Sequence, residues 1–366
     1  MNRYDGEPLV GVGTATGTRV GHVLGLPFSG KVDVNRVTPD KFSYVVNADG
    51  ETIADLTFRR IRGSIEEVDS ARELINHIRG GTWHMVSPNS RMEDSYQAIL
   101  GGRFTRFYST GNSQIPETVG ILGTHPKNNQ LMWWTFRKDG SISIVPTTIA
   151  KQSSARFTAL IGSKDHPIDL KVGFTIEDPN HSVLTTVGNV NGGKIPENNS
   201  WERRYPAEAS WVTSDPPNEI PAALSKLKHV TGPRWITLES ATTGKGTGSS
   251  MGRWILGGKF FMYTANAVYE NGDDWGHCFI LGHDSESGSY KGWEFGSGGA
   301  VGEFVLSEDG MSLKGSLIER DSSGEVAMNY QGSFALDGKV WRYTAKIGPK
   351  GGTAEPYVWT WREVGK

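Results

Sequence analysis

The chain has 366 residues, 36% of them apolar and 21% charged, with a formal net charge of -2. That is globular material, long enough for more than one core. The near-neutral balance, with no basic cluster, excludes a nucleic-acid partner held mainly by electrostatics. A lone cysteine, Cys278, rules out an internal disulfide, the first residues lack an apolar signal core, and no apolar run is long enough to span a membrane. Together these features lead us to expect a soluble, cytoplasmic protein with no membrane partner.

In chain order, residues 1–62 read as half of a repeat. Pro27, Lys31, Val32 and Pro39 match Pro167, Lys171, Val172 and Pro179 at one spacing, and Phe58-Arg-Arg matches Trp201-Glu-Arg. The strands expected between Leu9 and Arg60 are too few to close a barrel and leave an open edge. A second copy completing it in a homodimer, packing onto the next unit, and an evolutionary remnant that docks as a cap are the open alternatives.

Residues 63–205 form the next unit. Ser64 to Arg79 opens with a Ser cap followed by Glu67, places Ile65, Val68, Leu74, Ile75 and Ile78 on one helical face, and stops at Gly80-Gly81. Beyond Trp83 the chain turns to short alternating runs. One of its segments, Ile99-Leu-Gly-Gly-Arg-Phe104, returns as Ile255-Leu-Gly-Gly-Lys-Phe260. At nearly the same offset Gly120-Ile-Leu-Gly123 returns as Phe279-Ile-Leu-Gly282, and Trp134 and Phe136 fall on Trp293 and Phe295. Motifs aligned at one spacing define a tandem array.

A Pro-rich linker from Pro206 to Pro221 leads into residues 206–366, the second full unit. Its short helix at Ala222–Val230 is stopped by Gly232-Pro233, and strands follow at Lys259–Ala265, Gly315–Arg320, Val340–Lys346 and Tyr357–Arg362, separated by turns such as Asn271-Gly272 and Glu308-Asp-Gly310. The fold class is mainly β: antiparallel meanders that close into tandem barrels, with short connecting helices. The glycine-rich run Thr243–Ser250 lacks the P-loop order and reads as a flexible hairpin.

At these motifs a resemblance emerges. Gly252-Arg-Trp-Ile-Leu-Gly-Gly-Lys-Phe, Ile280-Leu-Gly-His-Asp284, Tyr290-Lys-Gly-Trp293 and Asp309-Gly310 resemble the bacterial lipocalin-like domain family of unknown function numbered fifteen-seventy-nine. The resemblance covers Leu224–Val364 well and Leu74–Arg204 less well, where Thr124-His125-Pro126 departs from the pattern. It implies lipocalin-like barrels and brings no catalytic residues with it.

Chemistry is therefore read from the residues. Trp275-Gly-His277, His283-Asp284 and Glu294 put two histidines and two carboxylates in the last unit, as a general base or proton shuttle would need. A hydrogen-bonded turn is the plainer reading of His283-Asp284. No metal-ligand spacing and no cofactor motif is present. The tryptophans are the stronger signal: Trp83, Trp134, Trp254, Trp275 and Trp293, with Tyr263, are the candidate walls of an interior pocket, and filling a core is their other reading. Trp293 and Glu294 are taken as an inward pair.

Three functions remain open. One is binding of a small apolar or aromatic molecule inside a barrel; another is a cofactor-free isomerase, cyclase or lyase that uses such a pocket; the last is a scaffold with filled barrels. Any acid–base chemistry is expected in the last unit or at an interface.

Overall fold

The computed structural model describes residues 14–23, 26–38, 41–48, 51–59, 69–86, 92–112, 115–163, 168–190, 193–194, 199–204, 220–240, 243–321, 324–337, 340–349 and 352–363. The Ser64 cap and most of the Pro206–Pro221 linker lie outside these residues. The chain divides into two compact units, Met1–Ile65 and Glu66–Lys366. In the first, β1 (Thr14–Val23), β2 (Leu26–Thr38), β3 (Lys41–Ala48) and β4 (Glu51–Arg59) form one antiparallel sheet in that order.

The second unit holds two closed, ten-stranded antiparallel barrels in tandem, of lipocalin-like architecture. Helix α1 (Asp69–Ile78) precedes the first barrel. Its strands are β5 (Thr82–Val86), β6 (Glu93–Ile99), β7 (Phe104–Ser109), β8 (Thr118–His125), β9 (Gln130–Arg137), β10 (Ile142–Ser153), β11 (Arg156–Gly162), β12 (Ile168–Asp178) and β13 (His181–Val190), then a two-residue strand β14 (Gly193–Lys194), and β15 (Asn199–Arg204). Closure runs from β12 to β13, β13 to β15 and β15 to β5, with β14 an appendage on β13.

A 3-10 helix at Ala222–Val230 introduces the second barrel. Its strands are β16 (Gly232–Ser240), β17 (Gly244–Ile255), β18 (Phe260–Tyr269), β19 (Asp274–Asp284), β20 (Ser289–Gly296), β21 (Val301–Leu306), β22 (Ser312–Asp321), β23 (Gly324–Asp337), β24 (Val340–Pro349) and β25 (Glu355–Glu363). Each pairs with its neighbours in order, and β25 closes on β16. The run Thr243–Ser250 is thus not a flexible hairpin: most of it is the start of β17, laddered to β16 and β18.

Helix α1 seals the first barrel by burying Ala71, Leu74 and Ile75 against Val145, Ile149 and Phe157, the one-sided stripe that its apolar spacing demands. The 3-10 helix does the same at one end of the second barrel with Ala223, Leu224, Leu227 and Val230. Gly252 is small for this purpose: a Cβ there would strike the Val230 carbonyl and the Phe261 ring.

The repeated Ile-Leu-Gly-Gly motif makes the connection from β6 to β7 and from β17 to β18. Leu100 and Leu256 sit at φ 52° and 55°, and each is followed by two glycines that are also left-handed. A leucine held there is strained, and packing explains why it stays. Leu256 is buried and Leu100 packs on Gly276 of the other barrel, both within one apolar seam.

That seam joins the barrels. Phe104, Val119, Ile121, Trp134 and Phe136 on the outer face of β7–β9 pack on Phe260, Met262, Cys278, Ile280, Trp293 and Phe295 on the outer face of β18–β20. The contact is pseudo-twofold. Phe104 meets Phe295 at 5.4 Å and 67°, and the equivalent pair Phe136 and Phe260 repeats both values. Trp134 with Phe295 and Trp293 with Phe136 form a second matched set, each at 5.1 Å. The two repeats therefore associate as the protomers of a symmetric dimer do, through one self-complementary patch.

Candidate functional site in the second barrel

Strand alternation assigns each side chain to one of two faces. On β19, Cys278 and Ile280 enter the seam, while His277, Phe279 and Leu281 line the barrel interior. On β20, Glu294 pairs opposite Phe279 and turns inward, and Trp293 pairs opposite Ile280 and turns outward. Trp293 and Glu294 are thus not an inward pair, since neighbours on a strand face opposite ways.

His277 Nδ1 and Glu294 Oε1 stand 2.8 Å apart, with side chains only 11% and 12% exposed. Aromatic rings enclose the imidazole: Trp275 at 4.4 Å, Tyr263 at 5.5 Å and Phe279 at 5.7 Å. His277 Nε2 is buried and has no hydrogen-bond partner among the described residues. The Trp361 indole donates to the Tyr263 hydroxyl at 2.6 Å, which fixes that ring. Burial drives the Tyr263, Tyr330 and Tyr343 phenols far above their ordinary range, with the nearby Glu294 charge adding to the last two, so all three are neutral.

These groups border a cavity of ≈ 60 Å³ inside the barrel, walled by Leu227, Val230, Phe261, Tyr263, His277, Phe279, Leu281, Leu306, Leu313, Tyr330, Phe334, Tyr343, Trp359 and Trp361. A cavity of about 150 Å³ admits benzene, so a single ring enters this one only as a wall side chain turns aside. Phe334 is a half-buried ring of this lining.

The remaining expected site residues are dispersed. Trp254 is buried at the helix-plugged end, edge-on to Phe261 at 5.2 Å. Trp275 and Tyr263 belong to the second barrel's interior, Trp275 being half-buried. Trp134 and Trp293 are in the seam, outside either interior. Trp83 is in the first barrel, its indole donating to the Ile78 carbonyl at 2.9 Å with the Arg203 guanidinium 4.3 Å above its ring. His283 is exposed at the far end of β19, roughly 20 Å along the strand from His277. Its ring meets Tyr290, while Asp284 binds Lys291 at 2.9 Å and the Ser287 hydroxyl at 2.7 Å. Neither joins the His277–Glu294 pair.

Sequence reasoning passed over Trp359 and Trp361 as site residues, although their period-two spacing in Tyr357-Val-Trp-Thr-Trp put both on one face of β25. Asp94 was missed as well. It lies on β6, 7% exposed, beside a ≈ 20 Å³ cavity that Trp83, Tyr96 and Trp201 also line. Burial pushes its carboxyl up to about 7, against hydrogen bonds from Ser109 and Tyr96 that lower it. The first barrel thus holds a titratable acid of its own. Where the second barrel has His277 and Glu294, the first has the buried Thr118 and Thr135, and Arg137 donates to Thr135 and to Ser143.

No protein-family model matches the chain, and no curated protein matches it. Among solved structures it is similar to a redesigned β-barrel bound to DFHBI, at 11% identity and a TM-score of 0.23, over 39% of this chain and 100% of that one. It is similar to an S-type phycobiliprotein lyase from Guillardia theta, at 12% identity and a TM-score of 0.27, over 40% of this chain and 94% of that one. A protein of unknown function from the DUF3598 family of Nostoc punctiforme matches over 80% of this chain and 98% of its own, at 9% identity and a TM-score of 0.24. At these values no residue role passes from any of them to this chain. Topology alone defines the class: tandem closed antiparallel β-barrels of lipocalin-like form, the second enclosing an apolar cavity among the described residues.

Proposed function

We propose that the second barrel binds one small, mainly apolar aromatic molecule, and that His277 and Glu294 supply its polar contact. One observation carries this reading: His277 Nε2 is a buried, unpartnered polar atom on a residue that lines a cavity walled mainly by aromatic and aliphatic side chains. A buried polar group of that kind costs about 1–3 kcal/mol unless something bonds to it. The first barrel, whose cavity is about the size of one water, serves as the structural partner. The finer kinship to the family numbered fifteen-seventy-nine, carried by Gly252–Phe260 and Ile280–Asp284, belongs to this proposal too.

Native mass spectrometry of protein purified from its own organism tests the reading, followed by denaturing extraction of whatever is bound. A retained aromatic compound supports it; protein that is empty as isolated and fails to bind simple arenes in titrations contradicts it. The buried His277–Glu294 pair favours one alternative, a cofactor-free isomerase or cyclase in which the same imidazole moves a proton of the bound molecule. Under that reading, Glu294→Gln abolishes turnover of the extracted compound while its binding survives.

A further inference from the structure

We infer that the molecule held by the second barrel is a phenol, bound through its oxygen between His277 Nε2 and Trp359 Nε1. This rests on reading that barrel as a ligand site and goes on to name the chemical class.

Two unpaired atoms set the requirement; the third in the lining, the Tyr343 hydroxyl, can both donate and accept and so selects nothing. Glu294 presents a carboxylate oxygen 2.8 Å from His277 Nδ1, and a carboxylate only accepts, so Nδ1 carries the hydrogen. In the neutral imidazole Nε2 is then left with a lone pair and needs a donor. Trp359 lines the same cavity, and its Nε1–H, also buried without a partner, needs an acceptor. A hydrocarbon answers neither atom, and a carbonyl or nitrile answers only the indole. A hydroxyl answers both at once: its hydrogen goes to Nε2 and a lone pair receives the indole N–H.

The flat walls and the readier ionisation of a phenol select an aryl hydroxyl over an aliphatic one. Phe261, Phe279 and Phe334 offer flat apolar surfaces to a ring. A phenol can also give up its proton here. The O–H bond breaks, an N–H bond forms at Nε2, and the products are a phenolate and an imidazolium. Glu294 already faces Nδ1 to balance the imidazolium, and the phenolate oxygen accepts from both Nε2–H and Trp359 Nε1–H. His277 Nε2 and Trp359 Nε1 are both satisfied with the proton on either side. Besides Glu294, the titratable groups around His277 are Tyr263, Tyr330 and Tyr343, all buried neutral phenols.

The experiment titrates the full-length protein with 4-nitrophenol and with nitrobenzene, which lacks only the hydroxyl, and records the visible band of the ionised dye. We expect 4-nitrophenol to bind about tenfold or more tightly than nitrobenzene, with a larger ionised fraction bound than free below neutral pH. In His277→Phe the preference should fall to near one and the extra ionised band should vanish. Trp359→Phe should reduce that band while leaving nitrobenzene affinity largely intact. Retained nitrobenzene binding certifies that both variants are folded. Equal affinities for the two compounds in the native protein, or an ionised band that survives in His277→Phe, overturn the inference and leave the apolar site standing. If neither compound binds, the ligand-site reading falls as well.

Discussion

Phe136 stands edge-on to Phe260 across the seam, ring centroids 5.4 Å apart, and both rings are fully buried. Removing either leaves a cavity that neither barrel can fill alone. Phe136→Ala and Phe260→Ala should each cost about 3–5 kcal/mol in denaturant-induced unfolding. Because the rings touch, the double variant should cost measurably less than the sum. Strict additivity would show that the barrels do not share one core.

Asp94 makes stability depend on pH with an unusual sign. Its folded carboxyl titrates near pH 7 against an ordinary value of 3.8, because burial disfavours the charge. Between those values the folded state holds a proton that the unfolded state has released. Stability from this group therefore falls as pH rises through the window, by an amount on the order of 4 kcal/mol at most. Asp94→Asn should flatten this slope and be the more stable protein above neutrality. Equal slopes in melts run from about pH 4 to 7, the window those two values bound, would refute the assignment.

The two left-handed leucines should answer differently to glycine. Leu256 is 1% exposed, so Leu256→Gly gains relief of backbone strain, of order 1–3 kcal/mol, and loses a fully buried side chain worth about 2–5 kcal/mol. Leu100 is only half-buried and loses less. Thermal unfolding should therefore place Leu256→Gly below Leu100→Gly, with Leu100→Gly near the native protein.

Tyr263→Phe removes the acceptor of the Trp361 indole, a 2.6 Å hydrogen bond in the interior of the second barrel. An orphaned buried N–H costs about 1–3 kcal/mol, and the cavity gains only the volume of a hydroxyl. Chemical denaturation should show that loss. A variant as stable as the native chain would mean that the indole finds another partner.

Much of the architecture was legible in residue spacing. Period-two runs located β18, β22, β24 and β25, and the recurrence of Ile99–Phe104 at Ile255–Phe260 announced two copies of one fold. The facing of Trp134 and Trp293 was not legible, for a definite physical reason. Alternation separates a strand's two faces, but it identifies the inner one only where the outer one is wet. Here the outer face of β20 is as dry as the inner, because another barrel covers it, so Trp293 and Glu294 gave no polarity contrast to orient them. Asp94 was hidden differently: a single carboxylate in a short strand looks solvated until the closing strands β5 and β15 place Trp83 and Trp201 beside it. The His277–Glu294 pair could be suspected from proximity in sequence, yet its hydrogen bond depends on the β19–β20 register.

On β18 and β19 the seam draws its contacts from outward-facing residues, while the second barrel's cavity draws Phe261, Tyr263, His277, Phe279 and Leu281 from the alternate positions on the same strands. Ile121 and Ile280 remain identical where they must still fit a twin, and a few residues away Thr118 and Thr135 have parted company with His277 and Glu294. A single ribbon of chain thus serves two packings at once, one against its sister barrel and one around its own interior.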